Sequence, residues 1–201
     1  MAKYENIRAL AKKQLQTVTE SSDRWKEFLR TAAIAYNYSF PNQLLIYAQN
    51  PTATAVADMD YWNKNAGRRV KRGAHGTAVF DTRANSPRLR YLFDISDTIP
   101  IHEISEALPW AVTDQNWKPV WDKIIVDNHA DSIQSALLMI STSYVAQRSA
   151  MFTTALEKAV DGSSLQWAKP NEQRRLFLQI VTQSCLYMAA LRCGVDTARL
   201  G

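Results

Sequence analysis

Between Phe40 and Val79 the chain is interrupted too often for any long element to run through it. Pro41, Asn50-Pro51, Gly67, Gly73 and Gly76 cut this stretch into short pieces. Pro41 suits the first turn of a helix, where its missing N–H costs nothing. The helix it opens ends at Asn50, because a residue before proline disfavours helical geometry. A short strand is expected at Thr54-Ala55-Val56-Ala57. Asp58 then caps a helical turn bearing Tyr61 and Trp62, which Gly67 terminates. Arg69-Val70-Lys71 and Thr77-Ala78-Val79-Phe80 read as strands around the loop Arg72-Gly73-Ala74-His75-Gly76.

The flanking segments have clearer periods. Tyr4, Ile7, Leu10, Ala11, Leu15 and Val18 form a helical stripe over residues 3–19. Ser21-Ser22-Asp23 offers caps for a second helix with the stripe Trp25, Phe28, Leu29, Ala32, Ala33 and Tyr36. After a turn at Asn85-Ser86-Pro87, Leu89 to Asp94 alternates as a strand. Leu89, Tyr91 and Phe93 share one face, and Arg90, Leu92 and Asp94 the other. Ile101 to Leu108 fits one helix. Trp110, Trp117 and Trp121 lie among prolines and acids and suggest an irregular packed segment.

From Asp131 the period is helical again. Ile133, Leu137, Ile140 and Tyr144 share a face, Met151, Phe152 and Leu156 continue it after a break near Ser149, and Gly162 stops it. Pro170 opens a last helix that Gly194 closes. The expected fold class is α+β. Helices surround a small antiparallel sheet in residues 1–98, and residues 99–201 are mainly helical. The abrupt end at Asp196 to Gly201 reads as a segment of a longer protein.

Several function classes lack their residues. No apolar run approaches the ~18 residues of a membrane span, and Met1 to Glu5 opens no secretory signal. Cys185 and Cys193 lie eight apart in one expected helix, about 12 Å at 1.5 Å per residue, too far to bridge. Two reduced thiols suit a cytoplasmic protein. His75, His102 and His129 share no metal spacing, and His102-Glu103 lacks the second histidine of H-E-x-x-H. There is no P-loop, no dinucleotide fingerprint and no G-x-S-x-G. No catalytic residue, metal site or cofactor is expected.

Charge gives the positive signal. Residues 60–90 hold eight Lys or Arg against two Asp, and residues 91–128 hold two Lys against seven acids. Such segregation either makes one face positive or lets the two segments neutralise each other. In the first case Arg68, Arg69, Lys71 and Arg72 neutralise phosphates, with Arg90 adding to them from the next strand. Gly73 and Gly76, flanking His75, allow backbone N–H groups close to a phosphate. Tyr47, Tyr61 and Tyr91 are candidate stacking platforms, as are Trp62 and Phe80 unless they belong to the core. In the other case the strip is a solvated surface or docks an acidic protein.

Phe40-Pro41-Asn42-Gln43-Leu44-Leu45-Ile46-Tyr47-Ala48-Gln49-Asn50-Pro51 resembles the N-x-x-L-I-x-A-Q helix of the ArdC-type antirestriction N-terminal domain. Trp62 followed by Gly67-Arg68-Arg69-Val70-Lys71-Arg72-Gly73-Ala74-His75-Gly76-Thr77-Ala78-Val79 resembles that family's W…G-R-x-V-K-K-G-x-K-G-x-x-V segment. His75 stands where the family usually carries a basic residue. The resemblance covers roughly residues 1–98. It implies binding of single-stranded DNA without strong sequence choice, in a protein of a plasmid, phage or conjugative transposon. Met1 to Leu10 and Arg88 to Thr98 are similar to the start of large multidomain proteins of Gram-positive conjugative transposons, whose other domains carry methylase or helicase activity. Val181 to Val195 is similar to a late helix of the metallopeptidase-like domain that follows in ArdC-type proteins. Gln183 or Ser184 stands near the family's acidic position, and the resemblance implies a metal-free relic acting as helical support.

Overall fold

The computed structural model describes residues 2–84, 86–101, 112–163 and 165–199. The chain divides into two units, Met1–Ala111 and Val112–Gly201. The fold class is α+β, with small antiparallel sheets in the first unit and helices throughout the second. Among the described residues no helix is long and apolar enough to cross a membrane.

The first unit opens with helix α1 (Ala2–Val18), α2 (Ser22–Ile34) and α3 (Phe40–Gln49). Ser21 caps α2, its hydroxyl accepting the Arg24 N–H. Pro41 sits in the first turn of α3, and Asn50 ends that helix. Strand β1 (Val56–Ala57) precedes the short helix α4 (Met59–Lys64), where Asp58 caps by accepting the Tyr61 N–H. Strands β2 (Arg68–Val70), β3 (Thr77–Phe80), β4 (Leu89–Asp94) and β5 (Thr98–Pro100) complete the unit. Strand β5 carries the unit past residue 98, the boundary expected from sequence.

The strands form two sheets rather than one. Strand β4 lies between β1 and β3, pairing antiparallel with each, whereas β2 pairs with β5. The Arg72–Gly76 loop therefore crosses from one sheet to the other and is not a hairpin turn. Alternation along β4 supplies two cores. Leu92 joins Leu45, Ile46 and Val79 on the side of α1 and α3. Phe93 joins Ala55, Ala57 and Trp62 on the side of α4, with Val70 packed against that cluster. Trp62 is 1% exposed, and its indole N–H donates to the Phe93 carbonyl at 2.9 Å, so it belongs to the core.

Helix α3 also closes the outer edge of β3. The Asn42 side-chain amide donates to the Phe80 carbonyl at 3.0 Å and accepts the Phe80 N–H at 2.9 Å. Two turns later the Gln49 amide donates to the Ala78 carbonyl at 2.9 Å and accepts the Ala78 N–H at 3.0 Å. Each primary amide presents the donor and acceptor of a peptide group, so the pair stands in for a missing strand. Ala78 and Phe80 are alternate strand residues whose polar groups face one edge, which is why two amides suffice.

The buried Asp94 ties β1 to β4. Burial raises its affinity for a proton, but N–H donors from Ser96, Ala55 and Thr54 outweigh that effect and hold the carboxyl below its ordinary range. The three N–H groups lie 2.7–3.0 Å from its oxygens.

The second unit contains α5 (Trp117–Asp127), α6 (Ile133–Gln147), α7 (Ser149–Ala159) and α8 (Pro170–Arg192). The irregular segment expected around Trp117 and Trp121 is a helix. Pro119 falls in its first turn, where no backbone donor is required, and the two rings meet one turn apart at 4.8 Å. Trp121 donates its indole N–H to the Cys193 carbonyl at 2.7 Å. Trp110 and His102–Leu108 of the expected helix Ile101 to Leu108 lie outside the described residues. On α6 the buried face runs through Ile133, Ala136, Leu137, Ser141 and Val145, leaving Ile140 and Tyr144 of the expected stripe more exposed. Cys185 and Cys193 are free, and burial pushes both thiols above their ordinary range.

Candidate nucleic-acid interface

Strand β2 and the loop after it carry most of the basic residues singled out from sequence. The β2–β5 ladder pairs Arg69 with Ile99, and Arg68 with Pro100. It extends one residue further, because the Lys71 N–H donates to the Asp97 carbonyl at 2.8 Å. Arg69 and Lys71 therefore alternate onto one face, with exposed Ile99 beside Arg69. Lys71 also donates its ammonium to the Ser96 carbonyl at 2.7 Å. The chain then turns at Lys71–Ala74, closed by the Ala74 N–H on the Lys71 carbonyl, with Gly73 at φ +85°. A positive φ at the third position is what a type II turn requires, so glycine suits this place. Arg72 and His75 are exposed.

Gly76 has a different reason for lacking a side chain. A Cβ there would lie 2.9 Å from the Tyr91 Cβ and 3.1 Å from the Phe93 ring. The loop thus lies directly against β4, which brings Gly76 and Tyr91 together. One face of Tyr91 is engaged by the Lys3 ammonium, 5.0 Å from the ring centre.

The remaining candidates lie elsewhere. Arg68 is half-buried, and its Nε donates to the Thr98 hydroxyl at 2.6 Å. Tyr47 stands on α3 against α2, donating its hydroxyl to Glu27 at 2.9 Å and packing on Phe28. Burial and that bond raise the Tyr47 phenol above its ordinary range. Phe80 is partly buried and meets Tyr4. Tyr61 and Arg90 both line a separate cleft.

Four of the seven acids expected to neutralise the strip are occupied in other ways, and Glu103 and Glu106 lie outside the described residues. Asp94 and Asp97 accept backbone N–H groups around the 3-10 turn Ile95–Asp97. Asp122 and Asp127 pair with Lys118 and Lys123 one turn away on α5. Among the described residues Arg69, Lys71 and Arg72 have no acidic partner within salt-bridge distance.

The cleft lies where the α2–α3 connection, β1 and α4 meet, with a volume of about 360 Å³. Tyr36, Tyr38 and Tyr61 supply its rings, Trp62 part of its wall, and Asp58 and Arg90 its charges. Sequence assigned Tyr36 to the α2 stripe. The helix instead ends at Ile34, and Tyr36 is 53% exposed beyond it. The closely spaced Tyr36-Asn37-Tyr38 at a helix end is the signal that sequence reasoning passed over. Tyr38 is fixed by its hydroxyl, which donates to the Val56 carbonyl at 3.0 Å, and burial raises its phenol above the ordinary range.

Among the described residues no cluster of three or more His, Cys, Asp or Glu is placed to hold a metal ion. No protein-family model, curated protein or solved structure matches the chain.

Proposed function

We propose that this chain is a non-catalytic, single-stranded DNA-binding module of a mobile-element protein, akin to ArdC-type antirestriction domains. The observation that carries the reading is the basic strip of Arg69, Lys71 and Arg72, exposed and without an acidic partner among the described residues. The phosphate backbone runs along β2 and over the Lys71–Ala74 turn, where Gly73 leaves the backbone open. Tyr91, 39% exposed, is the stacking candidate that lies against this loop at Gly76. Affinity then comes from phosphate neutralisation and falls steeply with salt.

The test is fluorescence anisotropy of labelled single-stranded and double-stranded DNA across a salt series. Arg69→Ala combined with Arg72→Ala is expected to flatten the log–log salt slope for single strands by about 1.4, at roughly 0.7 per phosphate contact. An unchanged slope removes both residues from the contact surface. A second reading, docking of an acidic protein on the same strip, draws on the exposed Ile99 beside Arg69 and Ile101 across from Gly67. It predicts capture of a defined protein partner with no DNA binding at low salt.

A further inference from the structure

We infer that the cleft between the α2–α3 connection, β1 and α4 is a nucleobase-binding pocket. Its volume of about 360 Å³ falls at the small end of ligand sites, which run from about 300 to 1,000 Å³. That suits one nucleoside and is small for a peptide segment or a dinucleotide. Tyr36 is 53% and Tyr61 37% exposed, so both present ring surface to solvent. Tyr38 is held in place from behind by its bond to Val56.

The polar groups suit a base edge better than a phosphate. Asp58 lies 3.6 Å from Arg90 and 3.9 Å from Arg83, and Arg83 also meets Asp81 at 3.6 Å. The lining carries one guanidinium, Arg90, and one carboxylate, Asp58, so the cleft is close to neutral and a phosphate gains little there. Asp58 Oδ1 accepts the Tyr61 N–H at 2.9 Å, while both arginine contacts are to Oδ2 and are longer than a charge-assisted hydrogen bond of about 2.7–2.9 Å, which leaves donor and acceptor capacity there. The Arg90 Nε is buried with no hydrogen-bond partner, and its guanidinium lies 5.3 Å from the Tyr38 ring centre. Heteroaromatic bases carry adjacent donors and acceptors on a flat ring, which is what a carboxylate beside a guanidinium in a tyrosine-lined cleft recognises. The pocket would seat one base of a bound strand; only that last step rests on the single-strand reading.

The experiment has two arms. In the first, free nucleosides, which carry no phosphate and so do not load the basic strip, are titrated into the full chain and followed by amide and indole NMR. At least one of the four is expected to shift the Asn37, Tyr61 and Trp62 resonances saturably, and Tyr36→Ala to weaken it about fivefold or more, the lower range for one base–aromatic stack. Arg90→Lys, which keeps the charge but loses the planar donor fork, is expected to weaken it as well. No saturable shift from any nucleoside up to about 10 mM overturns the inference, even if DNA still binds the strip with steep salt dependence. In the second arm, Tyr36→Ala is expected to weaken a short base-bearing strand while sparing the same strand made abasic, with the salt slope unchanged. Equal weakening of both strands overturns the assignment of the cleft to a base.

Discussion

Replacing Asn42 by aspartate is nearly isosteric and reverses one hydrogen bond. Asn42 is 2% exposed and spans the Phe80 peptide, accepting its N–H and donating to its carbonyl. In Asn42→Asp the first oxygen still accepts, but the second faces the Phe80 carbonyl oxygen at about the same 3.0 Å. Ionised, it repels that oxygen in a buried place; protonated, it donates as the amide did. The folded-state pKa is therefore raised above the unfolded value of about 3.9. The sign follows from linkage. The variant matches its parent below the unfolded pKa and loses ground as pH rises, by about 1.36 kcal/mol per unit, until the folded pKa is passed. If the carboxyl stays protonated in the folded state to pH 7, the deficit reaches about 4 kcal/mol, which is its ceiling. Asn42→Ala has no titrating group and loses roughly 2–4 kcal/mol at every pH, from two unpaired backbone groups and a small cavity. The assay is urea unfolding of all three proteins from pH 3.5 to 7, followed at the Trp62 indole N–H of the same unit. Only differences from the parent at each pH are used. An Asn42→Asp deficit that is the same at both ends of this range refutes the reasoning, because it would mean that the donor to Phe80 does not matter.

Three further outcomes follow from the geometry. Asp94→Asn turns an amide donor toward an N–H that the carboxylate accepts, costing roughly 2–4 kcal/mol. The parent carboxyl is held below its ordinary range, so its contribution is present above about pH 4 and fades on acidification through the folded pKa. The variant should show a flatter acid limb in the same urea series. Gly76→Ala pushes a methyl into Tyr91 and Phe93 and is expected to cost about 1–3 kcal/mol, the usual range for overpacking, read as a lower melting temperature with shifted Tyr91 ring resonances. Cys185 and Cys193, with thiols pushed up by burial, should react with iodoacetamide at pH 7 more slowly than a free thiol and recover on denaturation.

Local elements were legible in the sequence because short-range signals set them. Ser21, Pro41 and Asp58 act where capping and proline chemistry put them, Gly67 and Gly194 fall between elements just past helix ends, and Gly73 sits in the turn after β2. The misreadings came from long-range pairing. Leu89–Asp94 pairs with β3 as the sequence suggests, but β2 finds its partner only at Thr98–Pro100, and no period in the sequence announces that. Pro119 read as a breaker because its position in the first turn of α5 depends on where that helix begins. At the candidate site, composition marked the basic loop but not which cations stay clear of acids. Arg69 and Arg72 do so among the described residues, while Arg90 is drawn to Asp58 by the fold of β4 across β1. Asn42 and Gln49 carried the family resemblance as residue types alone. Their role at the edge of β3 appears only when the helix is seen beside the strand.

That edge has a consequence for self-association. Proteins with a bare outer strand can stack through it or exchange it between copies. Here β3 has β4 on one side and two side-chain amides on the other, so a second molecule must first displace four hydrogen bonds before its own backbone can pair. This edge is guarded locally, by two residues of α3 in the same chain. Removing both amides would turn the same strand into a site of entry.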